Sequence, residues 1–280
     1  MENAKFNKVL NDKYYLMQDI ARKYNYSEEL LDIITCVYVS FYMDFGKSVD
    51  MPLYDLFDRV MIIYDHGNVG EIAQRYGFGE IPGDSVAVTY FDPNFKVFQN
   101  EDLKQNPQKI ILGTHVGDYF ATSALKLEMV THEVRHSLMG YYNTNKLLDD
   151  DTYYMRTGLQ ETFYTRDDKN PDGFVGKRIG RTLDEILNTY ISEVLLNRVK
   201  SFSKYDIENR NLRRYIKSIK TVHEDNIYRA IGYHEDLKMF NPLLQQQMFI
   251  DLVNQHQFDG EIDIVKEFME SLTDKIDYLG

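Results

Sequence analysis

A single cysteine, Cys36, excludes any intrachain disulfide, and a thiolate zinc site would need several more. It lies in the apolar run "IITCVYVSFYM", where its expected role is that of a small buried hydrophobe. Tryptophan is absent, so aromatic packing rests on 22 tyrosines and 16 phenylalanines. Positive charge is in deficit: 32 Lys and Arg stand against 44 Asp and Glu, a net charge of −12. Such a surface repels phosphate backbones, which argues against a nucleic-acid partner. Long apolar runs are missing too. The longest, Ile33 to Met43, is bounded by Asp32 and Asp44 and is too short to span a bilayer. The first twenty residues carry charges throughout and lack the apolar centre of a signal peptide. These absences lead us to expect a soluble, cytoplasmic protein with no membrane partner. No period of 20 to 50 residues points to a repeat architecture.

What is present is a helical protein with a small sheet. "SEELLDIITCVYVSFYMDF" opens on Ser27 as N-cap, with Glu28 and Glu29 in its first turn. "DLFDRVMIIY" reads as a second amphipathic helical segment, and "HGNVGEIAQRYGFGEIPGD" as a Gly-rich connection. From Ser85, "SVAVTYF" and "FKVFQ" alternate around Asp92-Pro93-Asn94, which predicts a hairpin; "KIILG" predicts a third strand. A long helix is expected from about Asp118 to Tyr141. The polar "NTNKLLDDD" follows, then a Tyr-rich hairpin turning at Asn170-Pro171-Asp172-Gly173. Helical periodicity returns at Thr182, an N-cap candidate with Glu185 at its capping-box position. Three or four more helices are expected from about Asp206 to Tyr278. The predicted organisation is a helical region over 1–82, a core over 83–200 and a helical region over 201–280 that packs as one unit with the core.

The chemistry-bearing stretch is "LEMVTHEVRHSLMGYY", inside the long predicted helix. Residues four apart on a helix project from one face, so His132 and His136 can offer two imidazole nitrogens to one ion. Glu133 sits beside them as a candidate general base. With seven histidines in the chain, this pattern arises by chance in roughly one chain per hundred. Its context, small and apolar residues on both flanks of a helical segment, argues for a site in a cleft.

These residues resemble the zincin metallopeptidases. The likeness covers the motif helix, the strands before it and a candidate third ligand after it, but neither the first 80 residues nor about the last 75. In the gluzincin subclass, the third zinc ligand is a Glu on a second helix, within a sequence such as Leu-Asn-Glu. "TLDEILNTYISEVL" is similar, with Leu183-Asp184-Glu185 in that place. The resemblance therefore implies an α+β, predominantly helical fold with a zincin-like core. It implies Zn2+ held by His132, His136 and Glu185, with Glu193 and Asp184 as alternative ligands and Asn188 as a supporting partner. It implies hydrolysis of a peptide or protein substrate, with Glu133 as general base. A downstream oxyanion donor is implied as well; candidates are His223, Tyr233 and His234, with Tyr153 and Tyr154 as further ones. His115 is expected to cap the motif helix or line the cleft. Arg135 departs from the family, which usually has an uncharged residue there, and is expected to face solvent or a nearby carboxylate. Hydrolysis of a non-peptide amide at the same metal, or a catalytically silent binding protein on the same scaffold, are the alternatives.

Overall fold

The computed structural model describes residues 2–45, 50–78, 81, 83, 85–90, 109–141, 144–148, 152–157, 160–167, 170–179, 181–203 and 209–219. Among them are seven helices and nine strands, so the protein is mostly helical with a small mixed sheet, an α+β arrangement. No helix among the described residues is long and apolar enough to cross a membrane. Contacts divide the chain into two units. The first gathers 1–92, 107–137 and 192–222; the second gathers 93–106, 138–191 and 223–280. The first unit thus draws on all three regions expected from the sequence.

The first unit begins with α1 (Glu2–Tyr24) and α2 (Glu28–Phe45), which pack on each other. On α1, Phe6, Leu10, Met17 and Ile20 are buried at spacings of three, four and seven, a single apolar face. On α2, nearly every residue from Leu30 to Phe41 is buried, Cys36 among them, as expected of a helix apolar all round. The expected N-cap is present: the Leu30 backbone N–H donates to Ser27 Oγ at 3.2 Å. The short α3 (Asp50–Arg59) ends at the first strand.

That strand, β1 (Met61–Asp65), corrects one expectation. "MIIYD" does not extend a helix; it pairs in parallel with β3 (Lys109–Gly113), Ile63 opposite Ile111. A continuous apolar run of this length fits a buried strand as well as a helix, and pairing with "KIILG" decides it. β2 (Ala87–Tyr90) pairs antiparallel with β3 on the other side, giving the order β1-β3-β2. The expected partner of β2 in the hairpin, 95–99, lies outside the described residues.

The Gly-rich connection also holds an element the sequence reading missed. α4 (Val69–Arg75) is closed by a capping box, in which Asn68 accepts from the Glu71 backbone N–H and Glu71 from that of Asn68. Val69, Ile72 and Ala73 on this helix pack against Ile63 and Ile111 of the sheet. Next come two short strands, β4 (His115–Val116) and β5 (Tyr119–Phe120), paired antiparallel. The motif helix therefore starts later than expected, as α5 (Ser123–Tyr141). Its cap is Thr122, whose Oγ1 accepts from the Leu125 backbone N–H, and not His115.

In the second unit, β6 (Thr144–Leu147), β7 (Thr152–Thr157), β8 (Gln160–Asp167) and β9 (Asn170–Ile179) form an antiparallel sheet in that order. The segment expected to form a two-stranded Tyr-rich hairpin makes three strands, β7 to β9, and the polar connection supplies a fourth, β6. The turn expected at Asn170 to Gly173 falls on an irregularity at the start of β9: Asn170 lies opposite Asp167 and Phe174 opposite Arg166, so the register shifts there and 171–173 have no partner on β8. α6 (Arg181–Ser203) begins one residue before Thr182, which places Thr182 in the first turn instead of at the cap. α7 (Arg210–Ser218) packs on α2. The helices expected beyond 219 lie outside the described residues.

Candidate metal centre

α5 carries an unusual load for a buried helix. Leu127, Val130 and Val134 are fully buried, and so, within a few per cent, are Lys126, Glu128, His132, Glu133, Arg135 and Ser137. Polar groups in such surroundings are costly unless paired. Two partnerships fix the helix. At its middle, the Thr89 hydroxyl of β2 donates to the Glu133 backbone carbonyl at 3.2 Å, tying the motif to the strand at the sheet edge. Near its start, Lys126 Nζ donates to Glu29 Oε1 at 2.8 Å and to the Tyr64 hydroxyl at 2.9 Å. Glu29 also accepts from Tyr215 at 2.6 Å and from Tyr64 at 2.5 Å. One carboxylate thereby joins α2, β1, α5 and α7. Burial alone would raise the Glu29 pKa, but Lys126, Tyr215 and Tyr64 outweigh it and hold the carboxyl at about 2.

Next to this network, Asp32 is 3% exposed. Burial, followed by the charges of Glu28 and Glu29, pushes its carboxyl up to about 7, with Arg214 acting the other way.

The histidines of the motif converge. His132 Nε2 and His136 Nε2 lie 2.9 Å apart, with ring centroids at 4.6 Å and planes at 77°. His132 and Glu133 are 8% and 7% exposed, and His136 is half-buried. Two imidazole nitrogens bound tetrahedrally to one zinc ion, each at about 2.0–2.1 Å, lie about 3.3 Å apart. The observed 2.9 Å is that of an N–H···N hydrogen bond between the two rings, a few tenths of an ångström shorter, so an ion would have to displace the shared proton and widen the pair. As two imidazoles on one helix face, the residues suit two ligands of a zinc site. Among the described residues, no group of three His, Cys, Asp or Glu is gathered tightly enough to hold a metal.

The other expected site residues are placed as follows. Glu185 and Asp184 lie on the first turns of α6, and Tyr153 and Tyr154 on β7; the side chains of all four are outside the described residues. Glu193, further along α6, is half-buried and engaged within the fold. Asn188 is fully buried. His223, Tyr233 and His234 lie outside the described residues. Arg135 does not face solvent: it is 1% exposed and engaged within the fold. His115 sits past the end of β3, its Nδ1 2.8 Å from Thr114 Oγ1 and its ring against His66.

Sequence reasoning gave no site role to Thr89, Tyr64 or Tyr215, and read Glu29 only as a first-turn acid of its helix. Lys126 left a trace that could have been followed: it is a charge directly between apolar Leu125 and Leu127 on a helix read as buried. Its partners, Glu29 on α2 and Tyr64 on β1, leave no local signal. No family model, curated protein or solved structure matches the chain.

Proposed function

We propose that the protein is a zinc-dependent peptidase in which His132 and His136 are metal ligands and Glu133 is the general base. The observation that carries this reading is the approach of the two Nε2 atoms to 2.9 Å on a buried helix that also presents Glu133. Glu185 is the proposed third ligand, with Glu193 and Asp184 as alternates. Their place on one helix following the motif in the chain supports this, as does the resemblance of "LDE" to the gluzincin sequence.

A zinc ion at this position supplies Lewis acidity to water and to a scissile carbonyl. The chain's own groups do the rest. Glu133 takes a proton from the attacking water and passes it to the departing amine. The low exposure of His132 and Glu133 strengthens each charge interaction there. β2 touches the motif helix through Thr89, so the strand beside the motif is the proposed path of an extended peptide. His223, Tyr233 and His234 remain the proposed oxyanion donors.

The experiment is metal removal. Hydrolysis of a quenched-fluorescent peptide library should stop on treatment with 1,10-phenanthroline and return with about one equivalent of zinc. Hydrolysis that survives complete removal of the metal contradicts the proposal.

A further inference from the structure

Strand alternation gives the β1-β3-β2 sheet two faces. Val88 lies with Ile63 and Ile111 on the face that packs against Val69, Ile72 and Ala73 of α4. Ala87 and Thr89, on either side of Val88 in the strand, therefore point to the opposite face. The ladder sets Leu112 beside Ala87 and Ile110 beside Thr89, with Ile62 beyond Ile110. Ala87, Leu112, Ile110 and Ile62 are apolar and at most 4% exposed. Among these residues Thr89 alone brings a hydroxyl, and it donates to the Glu133 backbone carbonyl at 3.2 Å.

That carbonyl lies in the middle of α5 and has two lone pairs. The helix uses one, since the regular donor to Glu133 is the backbone N–H of Ser137. A serine or threonine hydroxyl four residues on can take the other. Thr35 does so to Leu31, and Thr131 to Leu127, both at 2.7 Å. Ser137 stands where it could do the same to Glu133. Its hydroxyl, on a residue 1% exposed, has no hydrogen-bond partner among the described residues. The second donor to Glu133 comes from the strand instead.

Such a bond fixes what apolar packing leaves loose. Hydrophobic contact is non-directional, so it resists separation of a helix from a sheet better than sliding or rolling. A slip of one residue along α5 moves the carbonyl by about 1.5 Å and turns it by about 100°, which breaks the bond. Lys126 ties the same helix to Glu29 and Tyr64 at 2.8 and 2.9 Å. Seven residues, or about 10 Å of helix, separate that tie from the one at Glu133. Together they hold α5 against both movements, and the second is made at the residue proposed as general base.

We propose that Thr89 is a positioning residue: by holding the Glu133 carbonyl, it sets the distance between the Glu133 carboxylate and a peptide lying along β2. The inference rests on the peptidase reading for the base and for the path of the peptide. Misplacement of a reacting group by about 1 Å can cost about a hundred-fold in rate, so loss of this tie is read in kcat.

Thr89→Val keeps the shape of the side chain and removes the hydroxyl; Thr89→Ser keeps the hydroxyl and removes the methyl. Both are compared with wild type in steady-state cleavage of a peptide that wild type hydrolyses, and in hydrogen exchange of α5 followed by mass spectrometry. Thr89→Val should lower kcat by about ten-fold with KM changed by less than about two-fold. It should also speed exchange over 133–137 by about three-fold. Thr89→Ser should bring both back close to wild type. A role in packing alone gives the reverse order, with Thr89→Ser the poorer variant and Thr89→Val silent.

That reverse order, an unchanged kcat in Thr89→Val, or a loss carried by KM overturns the positioning role, while hydrolysis by wild type leaves the peptidase reading standing. Wild type that cleaves no peptide sinks the peptidase reading, and exchange then decides for Thr89. Faster exchange over 133–137 in Thr89→Val but not in Thr89→Ser keeps it as the anchor of this turn; unchanged exchange removes it.

Discussion

Replacing Glu133 with Gln should lower kcat for peptide hydrolysis by about a hundred- to ten-thousand-fold while the protein keeps its metal and its fold. The amide has the size and shape of the carboxylate, so the buried position, 7% exposed, is filled as before. What is lost is the ability to accept a proton from water and return it to the leaving amine. That loss corresponds to about 3–5 kcal/mol of transition-state stabilisation. KM should move little, because Glu133 is not proposed to bind the ground-state peptide. The measurement is steady-state kinetics beside zinc content for wild type and variant. A kcat within ten-fold of wild type, with zinc retained, removes Glu133 from the role of base. Loss of zinc together with activity would assign it to the metal instead.

Lys126→Met should destabilise the protein by about 2 kcal/mol at pH 7, with a pH dependence that identifies the cause. Methionine keeps most of the aliphatic stem of a side chain that is 11% exposed, so little packing is lost. The ammonium is removed from Glu29, whose carboxylate then depends on Tyr64 and Tyr215 alone. The sign follows from the pKa. Glu29 is held at about 2 in the folded protein against an ordinary value of 4.5. Its contribution is therefore present above about pH 4.5 and is lost as pH falls towards 2. The Glu29 side chain is 36% exposed, so solvent screening reduces the share carried by this pair to about 1–2 kcal/mol. Urea unfolding at pH 7, 5 and 3 should show a gap between wild type and variant that is largest at pH 7 and narrows at pH 3. A gap of the same size at all three values would mean that the stem of Lys126, and not its charge, holds the helix.

The elements legible in the sequence are those with an uninterrupted local pattern. α1 and α2 show their apolar faces, Ser27 announces its helix, and "KIILG" is a strand in both readings. β1 was not legible because "MIIY" follows an amphipathic helix without a breaker, and only its parallel partner, 48 residues further along the chain, decides its state. α4 was hidden by the glycines on either side of it, although Asn68 and Glu71 carry the spacing of a capping box. The turn residues from Asn170 to Gly173 do break the regular pairing, as an irregularity within the β8–β9 ladder at which the register shifts.

The candidate site divides in the same way. His132, Glu133 and His136 could be found because a single helix brings them together by spacing alone. Thr89, Tyr64 and Glu29 could not, since they reach α5 across 44, 62 and 97 residues of chain, nor could Tyr215, which meets Glu29 across 186. The burial of Arg135 was not decided by sequence either: a charge inside the motif fits solvent or a nearby carboxylate equally until its surroundings are known.

Zinc content of the purified protein tests the central claim most directly, measured by inductively coupled plasma mass spectrometry on wild type, His132→Ala and His136→Ala, each checked for folding by circular dichroism. The account predicts about one zinc ion per wild-type chain and loss of most of it in both folded variants. Wild type that takes up no zinc at micromolar free metal, or zinc that stays stoichiometric when either histidine is removed, would contradict it.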